Sequence, residues 1–92
     1  MNEPQKYRKK PVEVEAVRLP DMPIDAPGMD DTIGEVIAWC GGRRAGGAYE
    51  LVAIDTLEGV MYARRGDWIV RDSQGEFQPV KPDIFAKTYE AA

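Results

Sequence analysis

The chain has 92 residues, 43% of them hydrophobic and 30% charged, with a net charge of −4. A chain this short is one domain, and folding buries only about 60–65% of its unfolded surface, so it can build one modest core. The acidic balance weighs against a protein that neutralises a run of phosphates, and nucleic acid is not an expected partner.

Residues 1–6 are polar and read as a frayed terminus. Val12, Val14 and Ala16 alternate with Glu13, Glu15 and Val17, the period of a strand with one buried face. Pro11 at its head lacks a backbone donor, which suits a strand's first residue or an edge. Residues 19–30 hold Pro20, Pro23, Pro27 and Gly28 among acids and read as a surface loop. A helix is predicted from near Thr32, capped by Asp30, Asp31 or Thr32, with Glu35 at capping-box spacing from Thr32. Its apolar face is Ile33, Val36, Ile37 and Cys40, and Gly41 and Gly42 stop it.

Residues 41–48 (GGRRAGGA) are expected to be an exposed, mobile loop carrying two arginines. From Tyr49 the spacing predicts a meander of short antiparallel strands. These are Tyr49 to Asp55, Val60 to Ala63, Trp68 to Arg71 and Glu76 to Val80. Turns at Glu58-Gly59, Arg64 to Asp67 and Asp72 to Gly75 separate them. Pro82 and Asp83 then open a short final helix that Ile84, Phe85 and Tyr89 pack onto the sheet. Within the meander, one of Trp68 and Val70 is expected in the core with Val60 and with Ala53 or Ile54. Core packing is favoured for Trp68 over a stacking platform. The fold expectation is a single α+β domain over 1–92: a small twisted antiparallel sheet, or half-open barrel, of about five strands, with one packed helix and a short C-terminal helix.

Catalytic constellations are sparse. The chain has no histidine, which removes Ser–His and Cys–His nucleophile pairs and histidine metal sites. It carries neither a GxxxxGK[ST] nor a GxGxxG phosphate loop. The single cysteine, Cys40, lies on the predicted apolar helix face and reads as a small buried hydrophobe. A lone cysteine suits a reducing compartment, and no apolar run reaches the roughly 20 residues of a membrane span. The basic start of the chain has no apolar stretch behind it and does not read as a signal peptide. Glu13 and Glu15 share a strand face and could together bind a cation or share a proton, but a solvated face is the favoured reading. Lys6, Arg8, Lys9 and Lys10 surround Tyr7, and Arg43-Arg44 and Arg64-Arg65 are two further basic pairs. Were these to converge, they would form an anion pocket; the alternative is a solvated basic tail.

Several of these stretches together resemble a family of small proteins of tailed bacteriophages and prophages. The blocks are Lys6-Tyr7-Arg8-Lys9-Lys10-Pro11-Val12 through Ala16, Thr56-Leu57-Glu58-Gly59, Gly66-Asp67-Trp68-Ile69, Gly75-Glu76-Phe77, and Lys81-Pro82-Asp83-Ile84-Phe85 with Tyr89. They cover both ends of the chain in order and skip residues 19–48. This sequence departs from the pattern at Gln78-Pro79-Val80, where the family carries an aromatic and often a cysteine. The resemblance implies a phage origin and brings no assigned activity. It favours the roles short phage proteins serve, such as binding a host protein or sequestering a signalling molecule.

Within the blocks, the glycines and prolines have backbone roles, and Trp68, Phe77, Ile84 and Phe85 are expected in the core. Arg8, Lys9, Lys10, Glu15, Thr56, Glu58 and Lys81 have no evident structural necessity and are the candidate site. Arg8, Lys10 and Lys81 would contact anions, and Glu15, Thr56 and Glu58 would exchange hydrogen bonds. The functional expectation is an accessory protein in the host bacterial cytoplasm that occludes a host protein without catalysis and without a cofactor. Alternatives are a sponge for a phosphorylated or nucleotide ligand, a minor virion or morphogenesis component, and, last, an enzyme using Glu15 or Glu58. Pairing into a homodimer through an exposed sheet edge is a further expectation.

Overall fold

A computed structural model describes residues 3–6, 12–23, 25–47 and 49–91. The elements run β1 (Glu15–Arg18), α1 (Met29–Cys40), β2 (Arg43–Arg44), β3 (Glu50–Thr56), β4 (Gly59–Arg64), β5 (Trp68–Arg71), β6 (Phe77–Val80) and α2 (Pro82–Thr88). The fold is α+β, as expected. The strands do not form one sheet, however. They divide into two three-stranded antiparallel sheets of order β1-β5-β6 and β2-β3-β4.

The division is made at the turn after β4. Gly66 takes the left-handed conformation there, at φ 79°. Asp67 is only 8% exposed. Its Oδ2 accepts the Arg64 N–H at 2.9 Å, and its own N–H donates to the Arg64 carbonyl at 3.0 Å. A buried carboxylate needs such donors to offset its desolvation. The carboxylate thus reaches back to Arg64 and not forward along the chain. The Leu19 N–H donates to the Asp67 carbonyl at 2.8 Å, and Arg18 Nε donates to the Gly66 carbonyl at 3.0 Å. The turn is thereby tied to the end of β1, and β5 pairs with β1 and β6 instead of β4.

Helix α1 begins at Met29, earlier than the capping-box spacing suggests. Gly28 occupies the N-cap at φ 81°, and no side chain caps the helix, while Asp30 and Asp31 lie in the first turn beside the positive end of the dipole. The earlier start adds Met29 to the buried stripe of Ile33, Val36 and Cys40. That burial supplies more than a cap bond would, since fully burying a Met side chain stabilises by roughly 1.5–3 kcal/mol. Gly41 ends the helix at φ 70°, its N–H on the Ile37 carbonyl.

Residues 43–44 are not a loop but a short edge strand, with Arg43 opposite Ala53 and Arg44 opposite Val52. Gly42 permits the approach: a Cβ there would lie 2.8 Å from the Ala53 carbonyl oxygen. The arginines then bridge to Asp55 and Asp30 at 3.1 and 3.0 Å.

The core is built from Leu19, α1, β3, Ala63 and Ile69. Val60, expected inside, is 44% exposed. The β3–β4 register explains this: Val52 pairs with Ala63 and Ile54 with Met61 on the face toward the core, while Asp55 with Val60 and Ala53 with Tyr62 occupy the other face. β5 is the central strand of its sheet, so Ile69 and Val70 are both fully buried. Trp68 and Phe85 are half-buried and pack on each other outside the main core, and Ile84, also expected inside, is exposed.

Candidate functional site

An open cleft of about 570 Å³ lies between the β3–β4 turn and the β5–β6 turn. Its floor is apolar, made by Met61 and Phe77, with Leu57 at the rim. Phe77 is held in place by an edge-to-face contact with Trp39 of α1, ring centroids 5.0 Å apart. Four acidic residues line the cleft: Asp55, Glu58, Asp72 and Glu76.

The four carboxylates are not equivalent. Asp55 receives Arg43 Nη1 on both oxygens, at 3.1 and 3.2 Å. Asp72 folds into its own turn, where Oδ1 accepts the N–H groups of Gln74 and Glu76 at 2.9 and 3.0 Å. Among the described residues, Glu58 and Glu76 have no ion-pair partner. Two uncommitted carboxylates over an apolar floor suit a ligand that is cationic and partly apolar.

Thr56 and Glu58 of the candidate site both line this cleft. Thr56 also has a structural task. Its hydroxyl donates to the Gly59 carbonyl at 2.7 Å and accepts the Glu58 N–H at 3.2 Å, which orders the two-residue turn. Glu15 lies elsewhere, on β1, where it accepts a hydrogen bond from Arg71 Nη1 at 2.8 Å across the β1–β5 pairing. Lys81 is exposed at the N-cap of α2, and its carbonyl accepts the Phe85 N–H at 2.8 Å. Arg8, Lys9 and Lys10 lie outside the described residues. The cleft is not legible in the sequence, because Glu76, Met61 and Phe77 read as turn and strand positions and no local pattern brings the two turns together.

The basic pairs do not converge among the described residues. Arg43 and Arg44 are on one edge of the β2-β3-β4 sheet, and Arg64 is on the other. Arg64 bridges to Glu50 at 3.4 Å. One face of the Trp68 ring is covered by Phe85. No group of three or more His, Cys, Asp or Glu side chains among the described residues is placed to hold a metal ion. No helix among them is long and apolar enough to cross a membrane. Comparison of the chain with models of protein families, with curated proteins and with solved structures produced no match.

Proposed function

We propose that this protein is a phage-encoded accessory binding protein that acts in the host cytoplasm by occluding a host protein, and that the cleft between its β3–β4 and β5–β6 turns receives the partner. The cleft carries the reading: Glu58 and Glu76, two carboxylates with no ion-pair partner among the described residues, line it beside the apolar side chains of Met61, Phe77 and Leu57. The partner segment it fits is basic and partly apolar, with lysine or arginine heads on the glutamates and an aliphatic or aromatic side chain on the floor. The blocks Thr56 to Gly59 and Gly75 to Phe77, on which the resemblance to phage proteins rests, build both walls.

The reading is non-catalytic, because the Thr56 hydroxyl of the cleft is engaged in its own turn by the Gly59 carbonyl and the Glu58 N–H, and the chain has no histidine to serve as a base at neutral pH. A phosphate sponge has less support, since the arginines at 43, 44, 64 and 71 are each bridged to a carboxylate. Native mass spectrometry of the tagged protein recovered gently from a bacterial lysate tests the proposal. A stoichiometric host protein is expected on the wild type and absent from Glu76→Lys. A small phosphorylated mass in its place, retained by that variant, would overturn it.

A further inference from the structure

The described residues leave four sheet edges, and three of them are blunted against pairing. β1 has four residues and carries Glu15 and Arg18. β2 has two residues, both arginine. β6 contains Pro79, which cannot donate a ladder hydrogen bond. β4 is different: six residues, Gly-Val-Met-Tyr-Ala-Arg, with Val60 44%, Met61 38% and Tyr62 53% exposed. A long apolar edge without lysine or proline is a template for another strand.

The hairpin sets which backbone groups of β4 are free. Thr56 and Gly59 close a two-residue turn, and such a closing pair exchanges both hydrogen bonds. Gly59, Met61 and Ala63 therefore point their amides and carbonyls at β3, and Val60 and Tyr62 point theirs outward. The next outward residue, Arg64, is already satisfied, its N–H on Asp67 Oδ2 and its carbonyl on the Asp67 N–H. The open ladder consists of Val60 and Tyr62, capped at one end by the Asp67 turn.

We infer that β4 pairs antiparallel with β4 of a second copy of this chain, across a two-fold axis at Met61. A continuous sheet with this symmetry places residues of the same face opposite each other. With Met61 opposite Met61 of the second copy, Val60 of each chain faces Tyr62 of the other. This register satisfies all four outward residues of the two chains; a shift of one residue pair either way leaves half of them unpaired. It also stacks a β-branched side chain against an aromatic one twice, a favourable cross-strand pair. It brings Glu58 of each chain opposite Arg64 of the other, whose side chain its own chain holds only through the exposed 3.4 Å bridge to Glu50, and Glu58 has no ion-pair partner of its own among the described residues. The product is a six-stranded sheet with its most exposed apolar edge removed. The inference rests on the β4 backbone and shares Glu58 and Met61 with the cleft.

The charge pairing gives a test on purified protein alone, so its outcome is independent of any host partner. Glu58→Arg places two Arg–Arg contacts in the dimer, and Arg64→Glu places two Glu–Glu contacts. Each variant alone is expected to dimerise about tenfold more weakly than wild type by sedimentation equilibrium, on two unfavourable pairs. Mixed one to one, they are expected to form a heterodimer, because both contacts become opposite in sign. Heterodimer formation also shows that both variants are folded. Met61→Cys adds a check on register. Opposed residues of a non-hydrogen-bonded pair lie about 4.5 Å apart at Cα, within disulfide range, so oxidised glutathione should cross-link it to a covalent dimer. A wild type that remains monomeric at high micromolar concentration, or a dimer indifferent to both charge changes and not cross-linked through position 61, would overturn the inference.

Discussion

The indole of Trp68 lies flat against the ring of Phe85, their centroids 3.9 Å apart and their planes within 5° of parallel. Tyr89 adds a tilted contact to Phe85, ring centroids 5.0 Å apart and planes at 33°. Helix α2 buries no residue fully, so this aromatic column is what holds it to the β1-β5-β6 sheet. Its seven residues are too few to be helical alone in water. Phe85→Ala is expected to cost about 1–3 kcal/mol in urea denaturation, from lost burial and lost stacking. Hydrogen exchange should show amides 82–88 losing protection while those of β3 keep theirs. Equal loss in both would mean that α2 is integral to the main core.

Asp67 joins the two sheets through backbone bonds to Arg64 and Leu19. Its carboxylate satisfies an amide that nothing else in the turn reaches. Asp67→Ala leaves that donor without a partner and is expected to cost about 1–3 kcal/mol. Asp67→Asn keeps an acceptor oxygen and should cost less. Chemical denaturation of the two variants side by side distinguishes this bond from simple loss of volume.

Two glycines should respond in opposite directions to the same change. At Gly42 an added methyl meets the Ala53 carbonyl at 2.8 Å and Val52 Cγ1 at 3.0 Å, so Gly42→Ala is expected to push β2 off β3 and destabilise by about 1–3 kcal/mol. Gly34 is exposed within α1, with nothing within 4 Å of an added Cβ. Gly34→Ala is expected to stabilise by about 0.5–1 kcal/mol through helix propensity. Thermal melts of both variants check the pair.

These elements also show what could be read from the chain itself. The stripe of Ile33, Val36 and Cys40 and the turns at Gly59, Gly66 and Gly75 were legible because periodicity and positive-φ demand are local signals. The strand β2 was not. Two arginines among glycines carry no apolar period, and their order comes from Asp55 and Asp30, distant in sequence. The start of α1 was misplaced because a capping-box pattern competed with the burial of Met29, and burial won. Val60 was placed inside because its strand is apolar on both faces, so alternation alone could not choose the buried one. Of the candidate residues, Thr56 and Glu58 line one cleft. Their partners Glu76, Met61 and Phe77 come from strands and turns that only tertiary packing brings together.

The most direct test of the central claim, that the cleft is the docking site, is photo-cross-linking from its rim. Leu57 is 87% exposed at the edge of the cleft and can carry a benzoylphenylalanine without disturbing the core. The same group at Ala38, exposed on α1 and not part of the cleft, is the control. In host cells one dominant adduct is expected from position 57, absent from position 38 and lost when Glu76→Lys is added. Mapping that adduct should find a basic, partly apolar segment of the partner. Identical adducts from both positions, or an adduct from 57 that survives the charge reversal, would contradict the claim.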